Sequence, residues 1–191
     1  MATYGGRMPV PPRVLTDRLD LRPPLESDLD GLFAITSDPR LWRHFPALRH
    51  TSPDQTLTRI HEWGTSWRES RLGTWAVRER GDERIVGNGG CTLTRGAFWN
   101  LGYRLSVDVH GKGYATELSR EAIRRATELA PEVPVVAYLL EHNAASARVA
   151  QRVGLTLVHR APDRGNPDPD AIRLVYADRP LDDAQLAATL L

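Results

Sequence analysis

Residues 107–118, VDVHGKGYATEL, set two glycines, Gly111 and Gly113, around Lys112, the only lysine of the chain, between an apolar strand and an amphipathic helix. Glycine weakens regular structure, so a pair at such a junction marks a backbone that turns tightly or lets a ligand come close. A strand, a glycine loop and a helix also leave free backbone N–H groups at a helix N-terminus, where the macrodipole is positive and phosphate is attracted. The bland alternative is a strand-to-helix turn that binds nothing.

Upstream of the loop the apolar period is two. TWAVRER (74–80), a turn at Gly81-Asp82, ERIVGNGGCTL (83–93) and FWNLGYRLSVDV (98–109) read as three consecutive strands in an antiparallel meander. Gly87, Gly89 and Gly90 mark a bulge or a close backbone approach in the middle strand. Downstream, a helix over about 113–129 carries Ala115, Leu118, Ala122, Ala126 and Leu129 on one face and solvated charge on the other. VPVVAYLL (133–140) is a continuous apolar run, expected as a strand covered on both faces. Asn143 caps a short helix ending at Gly154, and LTLVHR (155–160) and AIRLVYA (171–177) close the sheet.

Before the meander, RLDLRP (18–23) alternates as a strand. Ser27 with Asp30 reads as a capping box for a helix over DLDGLFAIT (28–36), and Ser52, Pro53 and Gln55 open a second helix with Leu57, Ile60, Trp63 and Trp67 at helical spacing. The tryptophans are read as core. The expected architecture is mixed α/β, a mixed sheet flanked by helices. Residues 1–12 are expected as a flexible arm, 13–178 as one domain, and 179–191 as a tail with a short helix whose Leu186 and Leu190 pack on the protein itself or on a second copy.

At 191 residues the chain suits one domain. With 25 basic against 24 acidic residues the charge is balanced, which argues against a nucleic acid as the main partner. A single cysteine, Cys91, allows no internal disulfide, and no apolar run reaches membrane-spanning length, so the expected location is the cytoplasm, with no membrane partner.

Two nucleotide motifs fail at the loop. A Walker loop needs four residues between its glycine and Gly-Lys-Ser/Thr, and a dinucleotide fingerprint needs a third glycine near the first strand; HGKGYAT has neither. His110-Gly111-Lys112-Gly113-Tyr114-Ala115 instead resembles the Q/R-x-x-G-x-G/A loop of the GNAT superfamily of N-acetyltransferases, with histidine first. RLDLRP, NLGYRLSVDVHGKGYATE and NAASARVAQRVGL together resemble its RimJ/RimL branch over residues 13 to about 178.

That resemblance implies the GNAT fold, with a mostly antiparallel sheet splayed at its centre, and an acyltransferase using acetyl-CoA as co-substrate without a metal. It implies that Leu105, Ser106 and Val107 offer backbone groups to the pantetheine arm, and that His110, Gly111, Lys112, Gly113, Tyr114 and Ala115 form the pyrophosphate loop. Lys112 either adds charge there or is solvated. Asn143 and Ser146 complete the cofactor site. The tyrosine that many relatives use to protonate the thiolate falls at Ala150, and Ser146 is the candidate in its place; the alternative is a serine serving only the helix's first turn. Where relatives carry a glutamate base this chain has Asn100, which cannot take a proton, leaving water relayed by Asn100 and backbone carbonyls, or Glu141 or His142.

The acceptor is expected beneath DPRLWRHFPALRHTSPD (38–54), with Trp42, His44, Phe45 and Tyr103 as substrate-binding residues and Arg40, Arg43, Arg49 and His50 nearby. These positive charges favour an acceptor amine, on a small molecule or a peptide N-terminus, that carries a carboxylate or a flat ring over a polyamine; the alternative is that the arginines face solvent and the aromatics close the core. A coenzyme A-binding module without catalysis is the rival suggested by Asn100. A monomer and a homodimer are equally compatible with the sequence.

Overall fold

The computed structural model describes residues 13–43, 45–164 and 166–190, so the expected N-terminal arm and His44 lie outside the described residues. Strands β1 (Val14–Leu15) and β2 (Leu19–Arg22) form a hairpin and are followed by helices α1 (Leu29–Thr36) and α2 (Pro53–Ser70). The meander is β3 (Thr74–Glu79), β4 (Ile85–Thr94) and β5 (Phe98–Leu105). Then come α3 (Tyr114–Leu129), β6 (Val135–Leu140), α4 (Ala144–Arg152), β7 (Thr156–Pro162), β8 (Ile172–Ala177) and α5 (Asp183–Thr189).

The eight strands make one sheet in the order β1-β2-β3-β4-β5-β6-β8-β7, antiparallel throughout except for β5 beside β6. This is a mixed α/β protein with a mostly antiparallel sheet flanked by helices, as the sequence implies. A parallel pair needs a crossover, and α3 supplies it. Leu118, Ala122 and Ala126 of α3 are fully buried against the sheet beside Leu101 and Leu105 of β5. On the opposite face α1 and α2 pack Leu32 and Ile60 against Ala76. Among the described residues no helix is long and apolar enough to cross a membrane.

Several local expectations are met and several are corrected. Gln55 Oε1 accepts from the Ser52 N–H at 3.2 Å, closing the cap of α2. At α1 the capping box of Ser27 with Asp30 is not formed: a short 3-10 turn over Glu26–Asp28 precedes the helix, its start is held by the Asp28 carboxylate accepting from Leu25 N–H at 2.9 Å, and α1 follows Asp28 with no side-chain cap. Leu129 ends the helix 37% exposed, and the buried stripe of α3 is instead completed by Tyr114 and Ser119. The apolar run of β6 is covered on both faces only over Val135–Ala137; Tyr138 is 38% exposed. Helix α5 packs on its own chain, where Leu181 and Ala188 meet Phe98, Val136 and Val175.

The glycines of β4 serve both roles anticipated for them. The strand bulges opposite Val77 and Arg78, and a side chain on Gly89 would stand 2.6 Å from both Leu118 Cδ2 and Tyr103 Cβ. Replacing it therefore pushes β5 and α3 off the sheet. Gly89→Ala is expected to destabilise the protein by about 1–3 kcal/mol, read as a lower urea midpoint at unchanged slope.

Candidate active site

The site begins where the sheet opens. β5 and β6 pair only at Trp99 with Val135 and Asn100 with Val136, and then diverge. On its other edge β5 stays hydrogen-bonded to β4 as far as Leu105 opposite Gly87. Trp99 N–H donates across the seam to Pro134 O at 2.8 Å, whereas Ser106 N–H donates to Val86 O of β4 at 2.8 Å. Strand alternation then turns the backbone of Tyr103 and Leu105 toward the open wedge. Ser106 keeps its N–H for β4. A cavity of about 350 Å³ fills the wedge, lined by β5, by Ala137–Leu140 of β6 and by Asn143, Ser146 and Ala150 of α4, with Trp42 and Phe45 at its edge.

At the end of β5 the chain makes a 3-10 turn over Val107–Val109 and enters the glycine loop. Gly111 and Gly113 both adopt the left-handed region, with φ of 80° and 81°. Gly113 is the N-cap of α3 and no side chain caps that helix, so its first turn offers backbone N–H groups at the positive end of a 16-residue dipole. The loop is braced from outside. Arg18 donates from Nη1 to Lys112 O at 2.7 Å and from Nε to Glu117 Oε2 at 2.7 Å, while Glu117 Oε1 accepts from the Arg18 N–H at 2.8 Å.

Three side chains of the loop are already engaged. Lys112 Nζ and Tyr114 OH both donate to Glu79 Oε1, at 2.9 and 2.6 Å, which holds that carboxyl below its usual range. The His110 ring donates from Nε2 to Leu105 O at 3.1 Å. What the loop presents to a ligand is therefore mainly backbone. Ala115 continues α3, half-buried.

Asn143 caps α4, its Oδ1 accepting from Ser146 N–H at 3.1 Å, and Ser146 lines the wedge. Tyr103 lies deep beside it: burial pushes the phenol above its ordinary pKa, an effect the Ser146 hydroxyl partly offsets. Ala150, where many relatives carry a tyrosine, is buried in the wedge wall and leaves room there.

A second cavity of about 770 Å³ lies on the α1 and α2 side, and Trp42, Gly102, Tyr103, Arg104 and Tyr138 line both spaces. Asn100 belongs to this second cavity, its Nδ2 donating to Tyr138 OH at 3.3 Å. Glu141 lines neither space: its carboxylate is held by Arg160 at 2.7 Å, which keeps it below the ordinary carboxylate range, and His142 also lines neither. Of the segment over 38–54, Trp42, Leu48 and His50 line the second cavity, Trp42, Phe45 and Leu48 line the wedge, and Arg40, Arg43 and Arg49 line neither. Arg104 and Asn88, passed over in the sequence, take their place, and Trp63, read from the sequence as core, lines this cavity while also packing against Leu32, Ile60 and Ala76. Period two was the available signal, because Gly102 and Arg104 must share a strand face with Asn100. Among the described residues no group of three or more His, Cys, Asp and Glu side chains is placed to hold a metal ion.

With this geometry in place, comparison with known proteins assigns the chain. Residues 18–156 match the acetyltransferase (GNAT) domain. An uncharacterized N-acetyltransferase of Bacillus subtilis, YoaA, is 22% identical over 145 residues, 75% of this chain and 82% of the relative. An acetyltransferase of Agrobacterium tumefaciens superposes with a TM-score of 0.70 at 26% identity, covering 87% of this chain and 93% of that one. RimL, a ribosomal alpha-N-protein acetyltransferase solved with coenzyme A, gives 0.74 at 17% identity over 88% and 97%. The chain belongs to the GNAT family, and it is an acetyltransferase enzyme.

Two measurements follow from the site. A Cβ on Gly102 would meet nothing within 4 Å, since the residue faces the junction of the two cavities. Gly102→Leu should therefore leave the unfolding midpoint in place while obstructing acetyl transfer. His50 stacks on Trp42 and its Nδ1 lies 2.7 Å from Thr56 Oγ1; burial first, then the charges of Arg59 and Arg104, lower its pKa from 6.5. Between that folded value and 6.5 the unfolded chain binds more protons, so this contribution to stability falls as pH drops through 6.5 and is fully lost below the folded value. An NMR titration should place His50 below 6.5, and His50→Gln should flatten this part of the stability profile.

Proposed function

We propose that the protein moves an acetyl group from acetyl-CoA directly to a primary amine, with both molecules bound at once. The observation that carries this reading is the junction at Gly102: a wedge walled by β5, the strand that leads into the glycine loop, meets a second cavity there. Acetyl-CoA supplies an acetyl group activated as a thioester. The residues present suit it, since Gly111 and Gly113 hold the loop backbone in conformations that free a helix N-terminus for the pyrophosphate, and the edge of β5 offers unpaired backbone to an extended arm.

The chain's own groups divide the remaining work. Backbone N–H groups from Gly111 to Ala115 hold the pyrophosphate, and Tyr103 and Leu105 bind the arm along β5, with Val107 at the entry to the loop. His110 supports that strand end through Leu105 O and leaves the phosphates to the backbone. As the amine nitrogen bonds to the carbonyl carbon and the carbon–sulfur bond breaks, the nitrogen loses a proton and the sulfur gains one. Ser146, placed by the Asn143 cap and backed by the neutral Tyr103 phenol, is the donor to sulfur. Water held by Asn100 takes the amine's proton, since Glu141 is tied to Arg160 outside both cavities.

A single cysteine, buried and unpaired in β4, supports a cytoplasmic location for this chemistry.

Calorimetric titration should show acetyl-CoA binding, no binding of NADH, and loss of acetyl-CoA binding in Gly113→Glu, which brings bulk and negative charge to the loop. A folded wild type that fails to bind acetyl-CoA would overturn the reading, and binding without turnover of any amine would leave a coenzyme-binding module. Ser146→Ala should lower kcat by on the order of 100-fold, as expected for loss of a proton donor, with little change in acetyl-CoA affinity. Glu141→Gln should leave kcat unchanged.

A further inference from the structure

We propose that Arg104 is a carboxylate receptor in the second cavity, and that the amine acetylated there belongs to a small amino carboxylate such as a free amino acid. This rests on the acetyl-transfer reading above and names the acceptor for the same site.

Arg104 stands on β5 beside the junction. Its Cζ lies 3.3 Å from the centroid of Trp42, and its Nη1 donates to Leu41 O at 2.8 Å. Two other arginines largely withdrawn from solvent each hold a carboxylate: buried Arg78 pairs with Asp28 at 2.5 Å and half-buried Arg173 with Asp163 at 2.5 Å. Arg104 has no acidic partner among the described residues. Burial lowers its pKa to about 10, so it stays protonated at neutral pH.

A half-buried cation without an anion is costly to keep, and one carbonyl with an aromatic face offsets only part of that cost. Stacking on Trp42 fixes the plane of the guanidinium and leaves N–H groups beyond Nη1 for a second partner. A planar fork held this way suits a bidentate carboxylate.

A second, independent irregularity adjoins it. Asn88 on β4 is the direct cross-strand partner of Arg104, and its Oδ1 is buried without a hydrogen bond while lining the same cavity. Cross-strand neighbours stand about 5 Å apart at Cβ. A cation lacking an anion and an acceptor lacking a donor are thus side by side. A carboxylate answers the cation and an N–H or O–H group answers the acceptor; a polyamine has donors for Asn88 but nothing for Arg104. Glu62, the acidic group lining the cavity, is already paired with Arg59 at 2.6 Å. The volume of about 770 Å³ and the rings of Trp42, Trp63 and Tyr138 suit a small molecule with an apolar or flat side chain.

The test compares free amino acids with their own carboxamides, with spermidine and with short acidic peptides, in initial rates with acetyl-CoA. In parallel, calorimetry with coenzyme A present compares N-acetylphenylalanine with its carboxamide. The expected result is a preference for the acid of on the order of tenfold or more in kcat/KM, and the same preference in binding. Arg104→Gln should abolish that preference, and Arg104→Lys should keep part of it, each variant being read as its own acid-to-carboxamide ratio at saturating acetyl-CoA. Asn88→Asp places a carboxylate opposite Arg104 within the protein, so it should raise the unfolding midpoint and remove binding of acidic probes. Equal handling of acid and amide by a wild type that binds acetyl-CoA would overturn the proposal, as would discrimination that survives Arg104→Gln or a preference for spermidine or peptides. Loss of acetyl-CoA binding by the wild type would instead strike the reading beneath it.

Discussion

Everything in the site depends on where β5 and β6 stop pairing. Two residue pairs hold the seam, and beyond them each strand keeps its outer neighbour: β5 stays on β4 to Leu105, and β6 stays on β8 as far as Leu140 opposite Arg173. The sheet therefore does not fray; it opens along one line. Backbone polar groups turned into that line have lost their strand partner, and unpaired buried groups cost too much to persist without a use. One is answered internally, where the His110 ring reaches Leu105 O. The others face the cavity that fills the wedge.

The opening continues into a loop that is rigid by construction. Arg18 ties the turn between β1 and β2 to Lys112 O and to Glu117 in the first turn of α3. Burial would raise the Glu117 pKa, but Thr16 and Arg18 outweigh it and hold the carboxyl below its ordinary range. On the far side Glu79 gathers Lys112 and Tyr114. Braced from both flanks, the glycine backbone is set before any ligand arrives, which lowers the ordering cost of binding.

The order of elements was legible because each depends on a local pattern: period two through the meander, period 3.6 through α3, a cap at Ser52 and another at Asn143. The glycine loop was legible for the same reason, since left-handed residues and a following helix leave a signature a few residues long. Departures fall where distant residues decide. A 3-10 turn precedes α1 in place of the capping box of Ser27 with Asp30. The apolar run of β6 gives no hint that Tyr138 emerges from cover, because the cause is divergence from β5 and not anything within β6. The basic segment at 38–54 drew attention to Arg40, Arg43 and Arg49, yet the guanidinium at the junction comes from β5.

That last difference separates the two halves of the site. The side proposed for the coenzyme is built from backbone, and backbone conformation is written locally, in glycines and caps. The cavity proposed for the acceptor is built from side chains of α1, α2, β4, β5 and the segment between the helices, which meet only once the sheet has formed. Arg104 and Asn88 lie 16 positions apart and become neighbours through strand register alone. A fold can thus keep its donor chemistry through a short loop while its acceptor varies with a handful of strand positions facing the other way. In this chain those positions hold a cation with no acidic partner among the described residues beside an acceptor without a hydrogen bond, and the acceptor proposed for the site is the one whose groups would answer both.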